Sequence, residues 1–119
     1  MADFADFIKA LPRPDSPVKM DAHIVPGGPC LPMFYEIAES VEIPEHVHGA
    51  QWGVVLEGEM EMTIGSETQR YGKGDSYTVP DGVPHTTRIR GPYRGIDVFA
   101  DPQRYEPLAE GESPQRQGM

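Results

Sequence analysis

Hydrophobic residues recur with two different periods along this 119-residue chain. Near its start, the residues that share one helical face are apolar, namely Phe4, Phe7, Ile8 and Leu11. Their spacing predicts a short amphipathic helix over residues 3–11, which Pro12 ends. A helix of this length is marginal alone, so we expect it to dock on the rest of the chain or on a second subunit.

From about Val18 onward, apolar and polar residues alternate in short segments, which predicts strands. The predicted strands include residues 33–38, 60–64, 67–71, 77–79 and 95–100, and another that carries His85, Thr87 and Ile89 on one face. Residues 51–57 form an apolar run, which predicts a strand that is buried on both faces. Turn residues such as Gly65-Ser66 separate them. About eight short strands without an interior helix predict an all-β domain, and the pattern leaves a sandwich and a barrel both open.

Charge and composition narrow the classes of partner. The chain carries 19 acidic and 10 basic residues, a formal net charge of −9, so binding to nucleic acid or to an anionic membrane is not expected. No apolar run approaches the ~20 residues that span a bilayer, and residues 1–11 lack the pattern of a signal peptide. Cys30 is the only cysteine, which excludes an intrachain disulfide. We therefore expect a cytoplasmic protein.

Three of the four histidines lie in two short segments that carry the candidate chemistry. A single residue separates His46 from His48, so on a strand their imidazoles would point to the same face. His85 comes from a later strand and could complete a facial set of three imidazole ligands for one divalent ion. His23 lies outside both segments, and we interpret it as a residue that does not bind metal.

The two histidine segments resemble the paired motifs of the cupin superfamily. The second motif matches at Gly74, Pro80, Gly82 and His85, and Ile89 stands where the family has asparagine. The first motif matches at His46, His48 and Gly58. It departs from the family at Ser40, which replaces a glycine, and at Gln51, which replaces a glutamate and follows a shortened spacer.

The resemblance implies a single-domain jelly-roll β-barrel over residues 18–105 with one metal ion inside its mouth. Residues 1–17 would form a helix and linker, and residues 106–119 a polar tail that we expect to be disordered. Cupins of this size are commonly homodimers, which would give the N-terminal helix a place to dock. The implied metal ligands are His46, His48, Gln51 and His85. Candidate ions are Zn, Ni, Mn, Fe and Cu.

A ligand set of three imidazoles and one amide carries no charge. A divalent ion would keep its full charge there, which favours Lewis-acid chemistry over oxygen activation.

A second group of candidate residues follows the last motif. Strand alternation places Asp97 and Phe99 on one face, and a carboxylate inside an apolar barrel mouth is a candidate general acid or base. Arg104 could bind a substrate carboxylate, and Tyr35 could line the same pocket. The combination is similar to the cupins that open the ring of unsaturated uronates, in which the matching residues would be Asp97, Phe99 and Arg104.

Three functions remain open from the sequence. The leading prediction is a metal-dependent lyase or isomerase that acts on a sugar acid or a related carbonyl compound. The alternatives are a dioxygenase that cleaves a diketone or enol, and a non-catalytic cupin that binds a small molecule or a metal.

Overall fold

The computed structural model describes residues 3–113, which contain one short helix and seven strands. The elements in chain order are α1 (Asp6–Lys9), β1 (Asp21–Ile24), β2 (Leu31–Ile37), β3 (Val41–His46), β4 (Gln51–Ile64), β5 (Glu67–Tyr71), β6 (Ser76–Val79) and β7 (His85–Phe99). All strand pairs are antiparallel. The prediction of an all-β domain is confirmed. Within residues 3–113, no helix is long and apolar enough to cross a membrane.

Two long strands, β4 and β7, organise the sheet. They pair with each other along most of their length, and the sheet order is β1-β2-β7-β4-β5. Strand β3 pairs with the first half of β7, which places it beside His85, while β2 pairs with the second half. Strand β6 pairs with the start of β4. The two halves of β4 and of β7 therefore pair with different strands, and all of these strands surround one interior.

Each long strand joins two segments that the sequence predicted as separate strands. In β4 the ladder to β7 shifts register between Val55 and Glu59, around Gly58, whose φ is +91°. A Cβ atom at Gly58 would lie 2.7 Å from the carbonyl oxygen of Pro92, so only glycine fits this bend. The bend turns the strand without ending its pairing, because strand pairing tolerates a bulge.

The inward face of the sheet forms the core. Strand β2 alternates strictly between buried and half-buried positions, and its buried residues include Met33, Tyr35 and Ile37. The second half of β7 alternates in the same way. Strand β4 also alternates at its start, so the prediction that residues 51–57 are buried on both faces is wrong: Trp52 is 44% exposed. Such alternation is expected of strands that turn one face to a closed interior.

Segments near both ends of the described residues pack on the sheet or on each other. The predicted helix over residues 3–11 extends only over Asp6–Lys9, and Phe4 packs edge-on against Phe34 with ring centroids 5.6 Å apart. Residues 13–15 pair with residues 106–108, which belong to the predicted polar tail. The rest of that prediction, residues 114–119, lies outside the described residues.

Candidate metal centre and active site

The fold brings the three histidines from distant positions in the sequence to one point. His46 ends β3 and is the register partner of His85, the first residue of β7, and His48 lies in the loop that follows β3. One candidate ligand atom from each ring lies within 4.8 Å of those of the other two. This clustering fits the binding of a single metal ion.

Hydrogen bonds to the backbone orient the three rings. The Nδ1 atoms of His46, His48 and His85 lie 2.9, 2.7 and 3.0 Å from the carbonyl oxygens of Pro44, Gly49 and Val83. A carbonyl oxygen only accepts hydrogen bonds, so each Nδ1 carries the proton and each Nε2 keeps its lone pair. This is the arrangement that metal-bound histidines adopt.

The separation of two Nε2 atoms also fits a bound cation. The Nε2 atoms of His48 and His85 lie 3.1 Å apart. With both protons on Nδ1, two lone pairs face each other at that distance, which is favourable only when a cation lies between or beside them. The donor set therefore fits a divalent metal, and nitrogen ligands of this type suit Zn, Ni, Cu and Fe.

Burial favours the neutral form of His48 and His85. Desolvation lowers the pKa of His48 to about 4, and it lowers the pKa of His85 in the same direction. Arg104 and the neighbouring histidines add to both shifts through their charges. Neutral imidazole is the ligating form, so His48 and His85 are ready to bind a metal at neutral pH.

The histidines form part of the wall of a cavity of about 270 Å³ inside the barrel. All of the site residues predicted from the sequence line it, namely Tyr35, His46, His48, Gln51, His85, Asp97, Phe99 and Arg104. A larger groove of about 510 Å³ shares Met60 and Ile89 with this cavity and is otherwise lined largely by glutamates and arginines, but it contains none of the predicted site residues. The cavity is therefore the candidate active site, and the individual roles of its residues remain predictions.

Asp97 lies at the centre of a buried hydrogen-bonded group. Its side chain is only 5% exposed, and it accepts hydrogen bonds from the Tyr77 hydroxyl at Oδ1 and from Gln51 Nε2 at Oδ2, the latter at 3.0 Å. The Tyr35 hydroxyl lies 3.4 Å from that of Tyr77. Because the amide nitrogen of Gln51 is used in this way, its side-chain oxygen is the atom left to serve as a fourth metal ligand.

A glycine makes the contact between Asp97 and Tyr77 possible. Gly53 in β4 is the register partner of Asp97 on one side and of Tyr77 on the other. A Cβ atom at Gly53 would overlap Asp97 Oδ1 and the Tyr77 ring. The missing side chain therefore leaves the space across which Tyr77 reaches Asp97.

Burial sets the protonation of this group. Desolvation raises the pKa of Asp97 to about 6, against the opposing effect of the hydrogen bonds from Tyr77, Tyr35 and Gln51. Burial also raises the pKa of Tyr35 and of Tyr77 well above the ordinary value, so both phenols stay protonated and act as donors. A carboxyl group with such a pKa can exchange protons near neutral pH.

Arg104 brings a positive charge to the cavity wall. Its guanidinium lies 5.6 Å from the ring centroid of Phe99 and 4.4 Å from that of Tyr105. Its Nε atom is buried without a hydrogen-bond partner among the described residues. Phe99 also contacts His48, with ring centroids 5.7 Å apart, so it links Arg104 to the histidines.

Three parts of the site were not identified from the sequence. Tyr77 and Gly53 lie in predicted strands, where they were interpreted as ordinary strand residues, and Tyr105 follows the last predicted strand. Alternation places Tyr77 on the same face as the buried Val79, which was the available signal. His23 is separate from the metal centre: its Nδ1 lies 2.9 Å from the carbonyl oxygen of Leu11.

Comparison with known proteins identifies the family. A family model described as a cupin domain matches residues 33–99, more than half of the chain. The protein therefore belongs to the cupin family, as its histidine motifs predicted, and its fold is the jelly-roll β-barrel of that family. The comparison with curated proteins gives no significant match.

Solved structures support the fold. KdgF from Halomonas sp. is 24% identical, with 66% of this chain and 74% of that chain covered and a TM-score of 0.59. An RmlC-like cupin from Shewanella frigidimarina is 22% identical over 66% of this chain and 72% of that chain, with a TM-score of 0.60. Salicylate 1,2-dioxygenase from Pseudoaminobacter salicylatoxidans is 19% identical, with 78% of this chain but only 30% of that chain covered and a TM-score of 0.62. These identities show a shared fold.

Proposed function

We propose that this cupin is a metal-dependent enzyme of the lyase or isomerase type that acts on a small carbonyl compound with a carboxylate group, such as a sugar acid or a related keto acid. The observation that carries the proposal is one cavity that holds three clustered imidazoles, a buried carboxyl group, and a guanidinium whose Nε atom has no hydrogen-bond partner among the described residues. Each group matches one part of such a substrate: the imidazoles, through a metal ion, match the carbonyl; the carboxyl group matches the carbon next to it; and the guanidinium matches the carboxylate.

The chain's own residues divide the work. His46, His48 and His85, with Gln51 as the expected fourth ligand, would hold one divalent ion. When bound, that ion would supply Lewis-acid polarisation of the substrate carbonyl, which acidifies the adjacent C–H bond. Arg104 would bind the carboxylate with its planar fork of donors. The aromatic rings of Phe99 and Tyr105 beside Arg104 would exclude water from that pair.

Asp97 is the residue proposed to move the proton. As a carboxylate it takes the proton from the carbon next to the carbonyl, and the electron pair of that C–H bond forms the enolate double bond. As a carboxylic acid it returns the same proton to a different atom of the substrate, which completes an isomerisation without another reactant. Tyr77 and Gln51 hold its two oxygens in place.

The test is proton exchange in D₂O, followed by NMR with protein purified without chelators and loaded with zinc or nickel. The probes are unsaturated uronates, keto acids and β-diketones. We expect exchange or turnover of a carboxylate-bearing probe, and we expect it to be lost in His85→Ala and in Asp97→Asn. His23→Asn is the matched control, because it changes a buried histidine outside the metal centre.

Two outcomes would contradict the proposal. Oxygen consumption with a diketone, measured with an oxygen electrode, would indicate a dioxygenase. Tight binding without exchange or turnover for any probe would indicate a binding protein.

A further inference from the structure

Methionines line the cavity around the metal centre. Four of the chain's six methionines, Met20, Met33, Met60 and Met62, lie on its wall. Three of them, on β2 and β4, are only 3% exposed. A thioether side chain is flexible and polarisable, and it fits apolar ligands of varied shape.

Strand register places the methionines next to the chemical groups. His85 starts a series of inward positions on β7 that continues with Thr87 and Ile89, and the β4 partners of those two residues are Met62 and Met60. Alternate residues on a strand are about 7 Å apart, so the apolar wall begins about 7 Å from His85, at the position of Thr87 and Met62.

A third methionine, Met33, lines the cavity from β2, on the opposite side of β7 from β4. Met33 is the register partner of Asp97, so a thioether stands beside the carboxyl group as well. The histidine cluster and Asp97 therefore each have methionine side chains nearby, from β4 and from β2 respectively.

The polar groups of the cavity are largely committed to each other. Tyr77 and Gln51 both donate to Asp97, and the Tyr35 hydroxyl is next to that of Tyr77. Beyond the histidines, this leaves few polar side chains for a ligand, among them Thr87 and Arg104. A sugar acid carries a hydroxyl group on most of its carbons, and each one buried without a partner weakens binding.

We propose that the substrate has an oxygenated, anionic head and an apolar body, and that Met33, Met60 and Met62 contact that body. This inference rests on the proposed function, and it narrows its substrate class from sugar acids to keto acids with a short alkyl chain. The head binds at the histidines and Arg104, and the body extends along the methionines. A cavity of about 270 Å³ lies just below the usual range for ligand pockets, so the alkyl chain is short.

The experiment measures binding directly with the zinc-loaded full chain, labelled with ¹³C at the methionine methyl groups. The two probes are α-ketoisocaproate, a keto acid with a branched alkyl chain, and galacturonate, which carries the same charge and several hydroxyl groups. We expect α-ketoisocaproate to shift the methyl signals of the cavity methionines and to bind at least about ten-fold more tightly than galacturonate. Methionine-to-leucine variants assign the signals.

A matched pair of variants separates polarity from size. Met62→Gln places an amide of similar length in the cavity wall, and we expect it to weaken α-ketoisocaproate binding roughly ten-fold. Met62→Leu keeps the wall apolar and should change binding by less than about three-fold. If Met62→Gln does not fold, the methyl signals of Met33, Met60 and Met62 in the wild-type protein still decide the proposal, because they must shift with α-ketoisocaproate.

The results distinguish failure of the inference from failure of the proposed function. Galacturonate binding as tightly as α-ketoisocaproate, or methionine signals that move with neither probe, would overturn the inference even if galacturonate is turned over. If α-ketoisocaproate shifts the methionine signals, and neither it nor any other probe exchanges protons in D₂O or is turned over, the inference stands and the proposed function fails.

Discussion

At the residue scale, the polar end of the cavity depends on a position without a side chain. Gly53→Ala would place a methyl group where Asp97 Oδ1 and the Tyr77 ring now lie. We expect the free energy of unfolding to fall by about 1–3 kcal/mol, because overpacking displaces a buried hydrogen-bonded pair. Urea denaturation measures the change.

The matched control for Gly53→Ala is Gly72→Ala. A Cβ atom at Gly72 would meet only Asp75 Oδ2, at 4.0 Å, so this variant should stay close to the wild type. Equal stability of Gly53→Ala and the wild type would contradict the described contact between Asp97 and Tyr77.

A second residue-scale prediction concerns the pH dependence of stability. The pKa of Asp97 is raised from 3.8 to about 6 by burial, so between these pH values the folded protein binds more protons at this site than the unfolded chain. The contribution of Asp97 to the free energy of unfolding is therefore fully present below pH ~4. It is lost as the pH rises through ~6, and the loss amounts to up to about 3 kcal/mol. Asp97→Asn removes this titration.

Denaturation of metal-free wild type and Asp97→Asn across pH 4–7 measures the effect of Asp97 alone, since the other titrating groups are common to both. We expect the stability of Asp97→Asn relative to the wild type to increase with pH. A constant difference between the two proteins would show that the Asp97 pKa is not raised.

The sequence predicted which residues meet in the cavity better than it predicted how they interact. Spacing and motif resemblance placed His46, His48 and His85 together, and alternation placed Asp97 on the same face as Phe99. The pairing of Asp97 with Tyr77 depends on Gly53 lying between them in the sheet. Register between distant strands decides that contact, and a single strand's pattern contains no information about it.

At the element scale, the sequence pattern identified β2 and the segments of β4 to β7. It did not predict β1 or β3 as separate strands, and it did not predict that the segments of β4 and of β7 join. Residues 51–57 and 60–64 were predicted as separate strands because a glycine between two apolar segments is typical of a turn. The ladder to β7 continues past Gly58 with two register shifts. A bulge and a turn share the same local signal, and only the partner strand distinguishes them.

Residues 13–15 and 106–108 also form a structural element that composition did not indicate. Asp15 N donates to Glu106 O, and Leu108 N to Arg13 O, both at 2.8 Å. Tyr105, next to this pairing, and Pro17 and Val18, which follow it, line the cavity. The pairing therefore closes one side of the candidate active site.

Truncation tests the contribution of this pairing. A chain that ends at Tyr105 loses both backbone hydrogen bonds, and we expect the free energy of unfolding to fall by about 1–3 kcal/mol. A chain that ends at Ser113 retains them and is the matched control. Thermal and urea denaturation of both proteins measure the difference, and equal stability would show that the pairing contributes nothing.

At the scale of the whole molecule, the outer face of the sheet has two distinct halves. One half carries ion pairs across β3, β4 and β7, formed by Glu42 with Arg88 and by Glu59 with Arg90. The other half is apolar: Trp52, which is 44% exposed, is the register partner of Val98, and the next outward positions are Val54 and Ile96. An apolar sheet face beside a charged one is typical of an interface.

The expected homodimer remains a prediction, and the apolar half of the outer face is where we expect it to form. Sedimentation over a range of concentrations should show a dimer. Two copies that each carry a charge of −9 repel one another, so added salt should strengthen the association.

A pair of variants tests the location of this interface. Trp52→Glu should shift the protein toward the monomer without lowering its melting temperature, because the side chain is partly exposed. Gln69→Glu makes the same charge change on exposed β5 and should leave the dimer intact. A monomer at every concentration and salt level, or equal association of both variants, would contradict this interface.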